Sequence, residues 1–163
     1  MSTGLKRAAR PRRAPGTEAP FIGALLRLCW QRVRRRIAEA IRAGGFTDLQ
    51  DAHLAVLRYP PPDRVRPSAL ARQLGMSRQA TNYIVAQLEE LGYLERRAAP
   101  KETRRLIYLT PRGWRLVETI HACLRELQQE WAAKVGQRRF DVLMAVLGEL
   151  ATEEEDNESA EAA

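Results

Sequence analysis

The stretch Met76–Arg97, MSRQATNYIVAQLEELGYLERR, decides how the rest of the chain is read. Ser77 suits a helix N-cap, because its hydroxyl can accept from one of the first amides, which have no partner within a helix. The spacing predicts a helix from there to about Leu91, where Gly92 ends it. On a helical wheel Ala80, Ile84, Leu88 and Leu91 fall within one narrow arc and face a core. Arg78, Gln79, Asn82 and Ala86 fall on the opposite arc, with Tyr83 flanking it.

Upstream, Pro67–Leu74 reads as a short helix with Pro67 in its first turn and Leu70, Ala71 and Leu74 on one face. Gly75-Met76 then turns the chain. Two short helices joined by a tight glycine-containing turn form a helix-turn-helix pattern. Downstream, Tyr93–Ala98 alternates like a strand, PKET (residues 100–103) is a turn, and the β-branched and aromatic RLIYL (105–109) is a return strand. A hairpin directly after the second helix is a wing.

The flanks are helical. Ile22, Leu25, Leu26, Cys29, Val33, Ile37 and Ile41 make a stripe over residues 21–43, ended by Gly44-Gly45. Asp48 suits the N-cap of a second helix, which Pro60-Pro61-Pro62 stops. Thr110 caps a long helix with Pro111 at its first position, and Gly136 breaks it. A last helix is expected from Gln137 to Leu150, with Phe140, Leu143, Val146, Leu147 and Leu150 as its apolar side. The expected fold class is mainly α with a small β-hairpin wing: a winged helix-turn-helix with long N- and C-terminal helices.

The chain of 163 residues has a net charge of +7. Residues 1–20 are basic and rich in proline, and 152–163 are acidic with no base. Both read as disordered tails, since neither has enough apolar residues to offset the entropy of ordering. The excess of base in 21–151 favours a polyanionic partner. Arginine outnumbers lysine 24 to three, a skew that looks like genome base composition, so position carries the argument and number does not.

The polar arc of the Ser77 helix places Arg, Gln and Asn in its leading turns. Arginine pairs bidentately with guanine, and asparagine or glutamine with adenine, in the major groove of DNA. The free amides at the helix start suit a phosphate. A solvated polar face is the bland alternative for any one of these residues, and the ordered set argues against it. The hairpin adds Arg96, Arg97, Lys101, Arg104 and Arg105, a ribbon able to follow the minor groove or its phosphates; a charged edge that blocks strand–strand aggregation is the competing explanation.

Together these elements resemble the MarR family of bacterial winged-helix transcriptional regulators. The matching stretches are SALARQLGMSRQATNYIVAQLEELGYLERR (68–97) and IYLTPRGWRLV (107–117). The resemblance implies a homodimer built from the first and last helices and bound to a pseudo-palindromic operator on double-stranded DNA. DNA contacts are then expected at Ser68, Ser77, Arg78, Gln79, Thr81, Asn82, Tyr83 and the five wing cations. It also implies an effector pocket between the first, second and fifth helices, for which Trp30, His53 and Tyr59 are candidates. The family's wing Asp-x-Arg finds its nearest counterpart in Glu102-Thr103-Arg104, one residue closer to Leu109-Thr110. Either the hairpin is one residue shorter or another arginine takes that place.

The expected organisation is a basic tail (1–20), a dimerisation helix (21–45), a DNA-binding domain (46–112), C-terminal dimerisation helices (113–151) and an acidic tail (152–163). A small winged-helix core cannot cover the apolar faces of the flanking helices, so burial against a second copy is the expected solution.

Other residues are weaker signals of chemistry. His121 and Cys123, two apart on a helix, point in different directions and cannot share a metal. Some peroxide sensors of the family use a first-helix cysteine nearer the helix start; Cys29, within the apolar stripe, reads as a small packed hydrophobe. Two scattered cysteines make no disulfide framework. There is no P-loop, no GxSxG and no metal-ligand spacing, so neither an enzyme nor a cofactor is expected. No apolar run reaches 18 residues and no secretion signal is evident, which points to the cytoplasm. Two other classes stay open: a winged-helix protein-interaction module, which would carry an apolar or acidic recognition face, and a sequence-neutral architectural DNA-binding protein.

Overall fold

The computed structural model describes residues 20–57, 60–98 and 105–161, with side chains to Ala151. The element order is α1 (Ile22–Ala43), α2 (Asp51–Val56), α3 (Pro67–Gln73), α4 (Arg78–Glu90), β1 (Leu94–Ala98), β2 (Arg105–Leu109), α5 (Pro111–Val135) and α6 (Gln137–Glu161). The class expected from the sequence, mainly helical with one hairpin, is the one observed.

Local stops fall where the sequence places them. Gly44 caps α1, and Gly45 takes a left-handed φ of 82° that glycine adopts without a Cβ clash. The turn between α3 and α4 puts Gly75 at φ 61°, and Ser77 Oγ accepts from the Ala80 amide at 3.1 Å. Thr110 Oγ1 accepts from the Gly113 amide at 3.1 Å and donates to the Gly92 carbonyl at 2.6 Å, so one hydroxyl caps α5 and fastens it to the end of α4.

Two boundaries differ from expectation. The N-cap of α2 is Gln50, in a reciprocal capping box with His53, and not Asp48. The Asp48 carboxylate is engaged with the Tyr93 phenol and the Arg112 guanidinium, and the ionic partner strengthens the bond. The backbone of α6 continues to Glu161, past Leu150 and through most of the acidic segment expected to be disordered. This stretch, rich in glutamate, contains no Gly or Pro, and extending an existing helix avoids the nucleation cost.

The hairpin pairs antiparallel with Leu94 opposite Leu109 and Ala98 opposite Arg105. Val65 adds an isolated bridge to Ile107, with reciprocal bonds of 3.2 and 2.9 Å. This third rung, in a proline-rich loop, has no strand signature and arises only from packing. One core holds the domain: Val56 of α2, Leu70 of α3, Ile84, Val85 and Leu88 of α4, Leu94, Ile107 and Leu109 of the hairpin, and Leu116 and Val117 of α5. Gly113 is required by close approach, since a Cβ there would collide with the Tyr93 carbonyl oxygen.

The flanking helices are covered unequally. Ile41 is buried, but Ile22, Leu25, Leu26, Leu28 and Trp30 of α1 are exposed, as are Val142, Leu143, Val146, Leu147 and Leu150 of α6. Cys29, expected to pack within the stripe, is exposed within this chain, because no described residue covers it; Cys123 is buried. Among the described residues, no helix is long and apolar enough to cross a membrane.

Candidate nucleic-acid interface

The two faces of α4 divide cleanly. Thr81, Ile84, Val85 and Leu88 are buried and fix the helix, while Ser77, Arg78, Gln79, Asn82 and Tyr83 are exposed around its first turns. Tyr83 is a large aromatic side chain left 67% exposed beside them. Ser68, in the first turn of α3, is partly exposed.

Thr81 is a correction. Expected among the DNA contacts, it is fully buried, with Oγ1 donating to the Ser77 carbonyl at 3.0 Å. Its spacing of three, four and seven residues from Ile84, Val85 and Leu88 puts it on the buried stripe of α4, beside the exposed arc that carries Arg78.

The adjacent arginines of β1 part company because successive side chains of a strand leave on opposite faces. Arg97 points outward, with its guanidinium 4.0 Å from the centroid of the Tyr108 ring and 3.6 Å from Glu95. Arg96 points inward to α4. It pairs with Glu89 at 3.2 Å and donates to both the main-chain oxygen and Oδ1 of Asn82, at 3.3 and 3.4 Å. Arg96, expected as a free wing contact, is therefore engaged with the helix. Arg105 is exposed at the start of β2. Lys101 and Arg104, and with them the question of which wing arginine matches the family pattern, lie outside the described residues.

Behind the interface is a polar joint that the sequence does not advertise. Arg112 Nη1 donates to the Leu91 carbonyl at the end of α4 (2.8 Å), and Nη2 donates to Asp48 (2.8 Å). The same guanidinium lies 4.4 Å from the centroid of the Tyr93 ring, and the Tyr93 hydroxyl donates to Asp48 at 2.6 Å. A cation in the first turn of α5 opposes that helix's dipole, but it favours the C-terminal dipole of α4, and Asp48 balances its charge. Partial burial alone would raise the Asp48 carboxyl; the Tyr93 hydroxyl, a backbone amide and Arg112 outweigh it and hold the group below its ordinary value. Tyr93 moves the other way, to about 12, through desolvation first and then its bond to Asp48.

An open cavity of about 550 Å³ lies between α1, α2 and α5, lined by Trp30, Arg34, Ile37, Asp51, Leu54 and Ile120 among others. Of the candidate pocket residues, Trp30 lines it. His53 does not, and this is a second correction: it is 2% exposed, its Nδ1 accepts from the Gln50 amide at 3.1 Å, and Nε2 then carries the proton and donates to Gln87 Oε1 at 3.2 Å. One ring nitrogen caps α2 and the other ties it to α4. Tyr59 lies outside the described residues. The Arg34–Asp51 pair at 2.7 Å was not anticipated at this rim, since only the tertiary approach of α1 and α2 brings the two together.

Comparison with known proteins agrees with this geometry. Residues 47–105 match the model of the MarR family. The winged-helix domain is of MarR type. The fold as a whole is shared with MarR-type regulators of known structure. One from Rhodococcus sp. RHA1 aligns with a TM-score of 0.58 at 22% identity, over 80% of this chain and 91% of that one. The S. aureus regulator MepR, in a structure bound to ethidium bromide, aligns with a TM-score of 0.58 at 18% identity, over 82% of this chain and 96% of that one. A MepR variant bound to an oligodeoxyribonucleotide aligns with a TM-score of 0.54 at 17% identity, over 83% and 99%. The search of curated protein sequences returned no match.

Proposed function

We propose that this MarR-type protein is a sequence-specific DNA-binding transcriptional regulator that represses by occupying a pseudo-palindromic operator as a homodimer. The observation that carries the reading is the division of α4: its buried face locks it to the core, while Arg78, Gln79, Asn82 and Tyr83 project from its leading turns. Arg78, Gln79 and Asn82 supply the hydrogen-bonding groups that major-groove readout uses. Ser77, Ser68, Arg97 and Arg105, and the wing residues Lys101 and Arg104, are assigned to the phosphates or the minor groove alongside.

The exposed apolar faces of α1 and α6 support dimerisation. Leu25, Leu26, Leu143, Val146 and Leu147 remain in water in the single chain, and at about 25 cal/mol per Å² their burial against a second copy is a strong drive to associate. Residues 46–112 are thus assigned to DNA, and 21–45 with 113–151 to the dimer. A two-fold dimer sets its recognition helices roughly 34 Å apart, one DNA turn. The cavity between α1, α2 and α5 lies where these parts meet and is large enough for a small effector. A ligand there would relieve repression by favouring a spacing that the operator does not fit. The protein is placed with its DNA in the cytoplasm, and no catalytic role is assigned.

The test is fluorescence anisotropy on the protein's own upstream DNA and on random duplex at several salt concentrations. The proposal requires tighter binding to the former, with the excess lost in Arg78→Ala. Equal binding to every duplex would leave a sequence-neutral architectural protein, and no binding in low salt would leave a protein-interaction module.

A further inference from the structure

Asn82 carries an amide whose two ends are chemically opposite: Oδ1 accepts and Nδ2 donates. Full recognition of adenine uses both ends, because its major-groove edge offers an acceptor at N7 beside an amino donor at N6. The surroundings of Asn82 favour one orientation of the amide, with one end turned toward β1. Arg96 reaches across from β1 and donates through Nη2 to both Oδ1 and the main-chain oxygen of Asn82, at 3.4 and 3.3 Å. A guanidinium has donors only, so the amide atom turned toward it has to be the oxygen. The guanidinium is itself held from the other side, with Nη1 at 3.2 Å from Glu89 of the same helix, and it is only about a quarter exposed. Asn82 is exposed, and with Oδ1 turned toward Arg96 the opposite end of the amide, Nδ2, is the one left for DNA.

We infer that Arg96 is a positioning residue that fixes the polarity of Asn82, so that Asn82 offers DNA only N–H donors and selects keto bases, guanine or thymine, over amino bases, adenine or cytosine. This rests on the DNA-reading role proposed above and names what one of its residues reads. Guanine presents two acceptors, N7 and O6, and thymine presents O4; adenine and cytosine each place an amino donor on the edge. An outward amide with only donors meets acceptors on the first pair and loses the adenine pairing that a freely turning asparagine would make. The wing thereby contributes to base choice from behind the helix, without touching the base.

The experiment is selection of binding sites from a random duplex pool by the full-length protein, in parallel with Asn82→Ala, Asn82→Asp and Arg96→Met. The position read by Asn82 is the one whose preference disappears in Asn82→Ala. The wild-type protein is expected to hold guanine or thymine there, by at least about fivefold over adenine, the low end of discrimination by a well-placed base contact. Arg96→Met removes the guanidinium while keeping an unbranched stem, and adenine should rise to equal or exceed the keto bases at that position alone. Asn82→Asp, an exposed substitution that leaves the core intact, presents an acceptor outward and should invert the preference to amino bases. Adenine at the Asn82-dependent position of the wild type, or a preference that Arg96→Met leaves unmoved in a folded protein, overturns the inference while leaving DNA reading in place. A pool that stays random overturns the DNA-reading proposal and this inference with it.

Discussion

The hydroxyl of Tyr93 donates a 2.6 Å hydrogen bond to the carboxylate of Asp48, 45 residues upstream. With Arg112 on the other carboxylate oxygen, the pair ties the loop before α2 to the end of α4 and the start of α5. The orientation of α4 therefore depends on a joint at its C-terminal end. Asp48→Ala leaves the Arg112 cation and the Tyr93 hydroxyl without that partner. Hydrogen bonds to charged groups contribute about 1.5–3 kcal/mol each, but both ionic side chains are about a third exposed, which screens the charge. The expected loss in urea unfolding is about 1–2 kcal/mol.

The same joint sets an acid and an alkaline limb of stability. Asp48 binds a proton less readily folded than unfolded, so its contribution is complete above the ordinary carboxylate value, about 4, and is lost as pH falls below it. Tyr93 is raised to about 12, so its contribution is complete below the ordinary tyrosine value, about 10, and is lost as pH climbs from there toward 12. Asp48→Asn should flatten the acid limb, measured as unfolding free energy against pH. Tyrosine absorbance in alkali should show one late-titrating phenol that is missing in Tyr93→Phe.

Gly113→Ala should destabilise, although alanine is the better helix former. At an exposed helical site the exchange stabilises by about 1 kcal/mol. Here the added methyl meets the Tyr93 carbonyl and a methyl of Leu109, and overpacking costs about 1–3 kcal/mol. A raised melting temperature would show that α5 does not approach Tyr93 as described.

Thr81 and Arg78, three residues apart, should separate in experiment. Arg78→Ala is expected to cost about 1–3 kcal/mol of binding to a selected site and to relax specificity. Thr81→Val removes a buried hydroxyl bonded to Ser77 and should lower stability by about 1 kcal/mol, leaving base preference where it was. A changed preference in Thr81→Val would count against its burial.

Charge on the uncovered flank should dissociate the proposed dimer. Leu143→Glu or Val146→Glu places a carboxylate where an apolar contact is proposed, on a face exposed in the single chain, so the fold itself should survive. Sedimentation should then show half the mass of the parent protein. A parent that sediments as one chain would remove the dimer from the proposal.

The elements themselves were legible in the sequence because their signals are local. Ser77 and Thr110 as caps, Pro67 and Pro111 in first turns, Gly45, Gly75, Gly92 and Gly136 at stops, and a period changing from helix to strand after Gly92 each act within a few residues. The exposed face of α4 was legible for the same reason, since one turn of helix determines which side chains share a side.

Tertiary structure alone decided the partnerships. Asp48 is an acceptable cap by type, yet Tyr93 and Arg112 compete for it from 45 and 64 residues away. His53 looks like a pocket residue until Gln50 and Gln87 occupy both of its nitrogens. Arg96 and Arg97 are indistinguishable as letters, and the pleat of β1 beside α4 sends one to Asn82 and the other to the outside. A residue's type bounds the contacts it can make; which it makes depends on the competing groups that folding brings within reach.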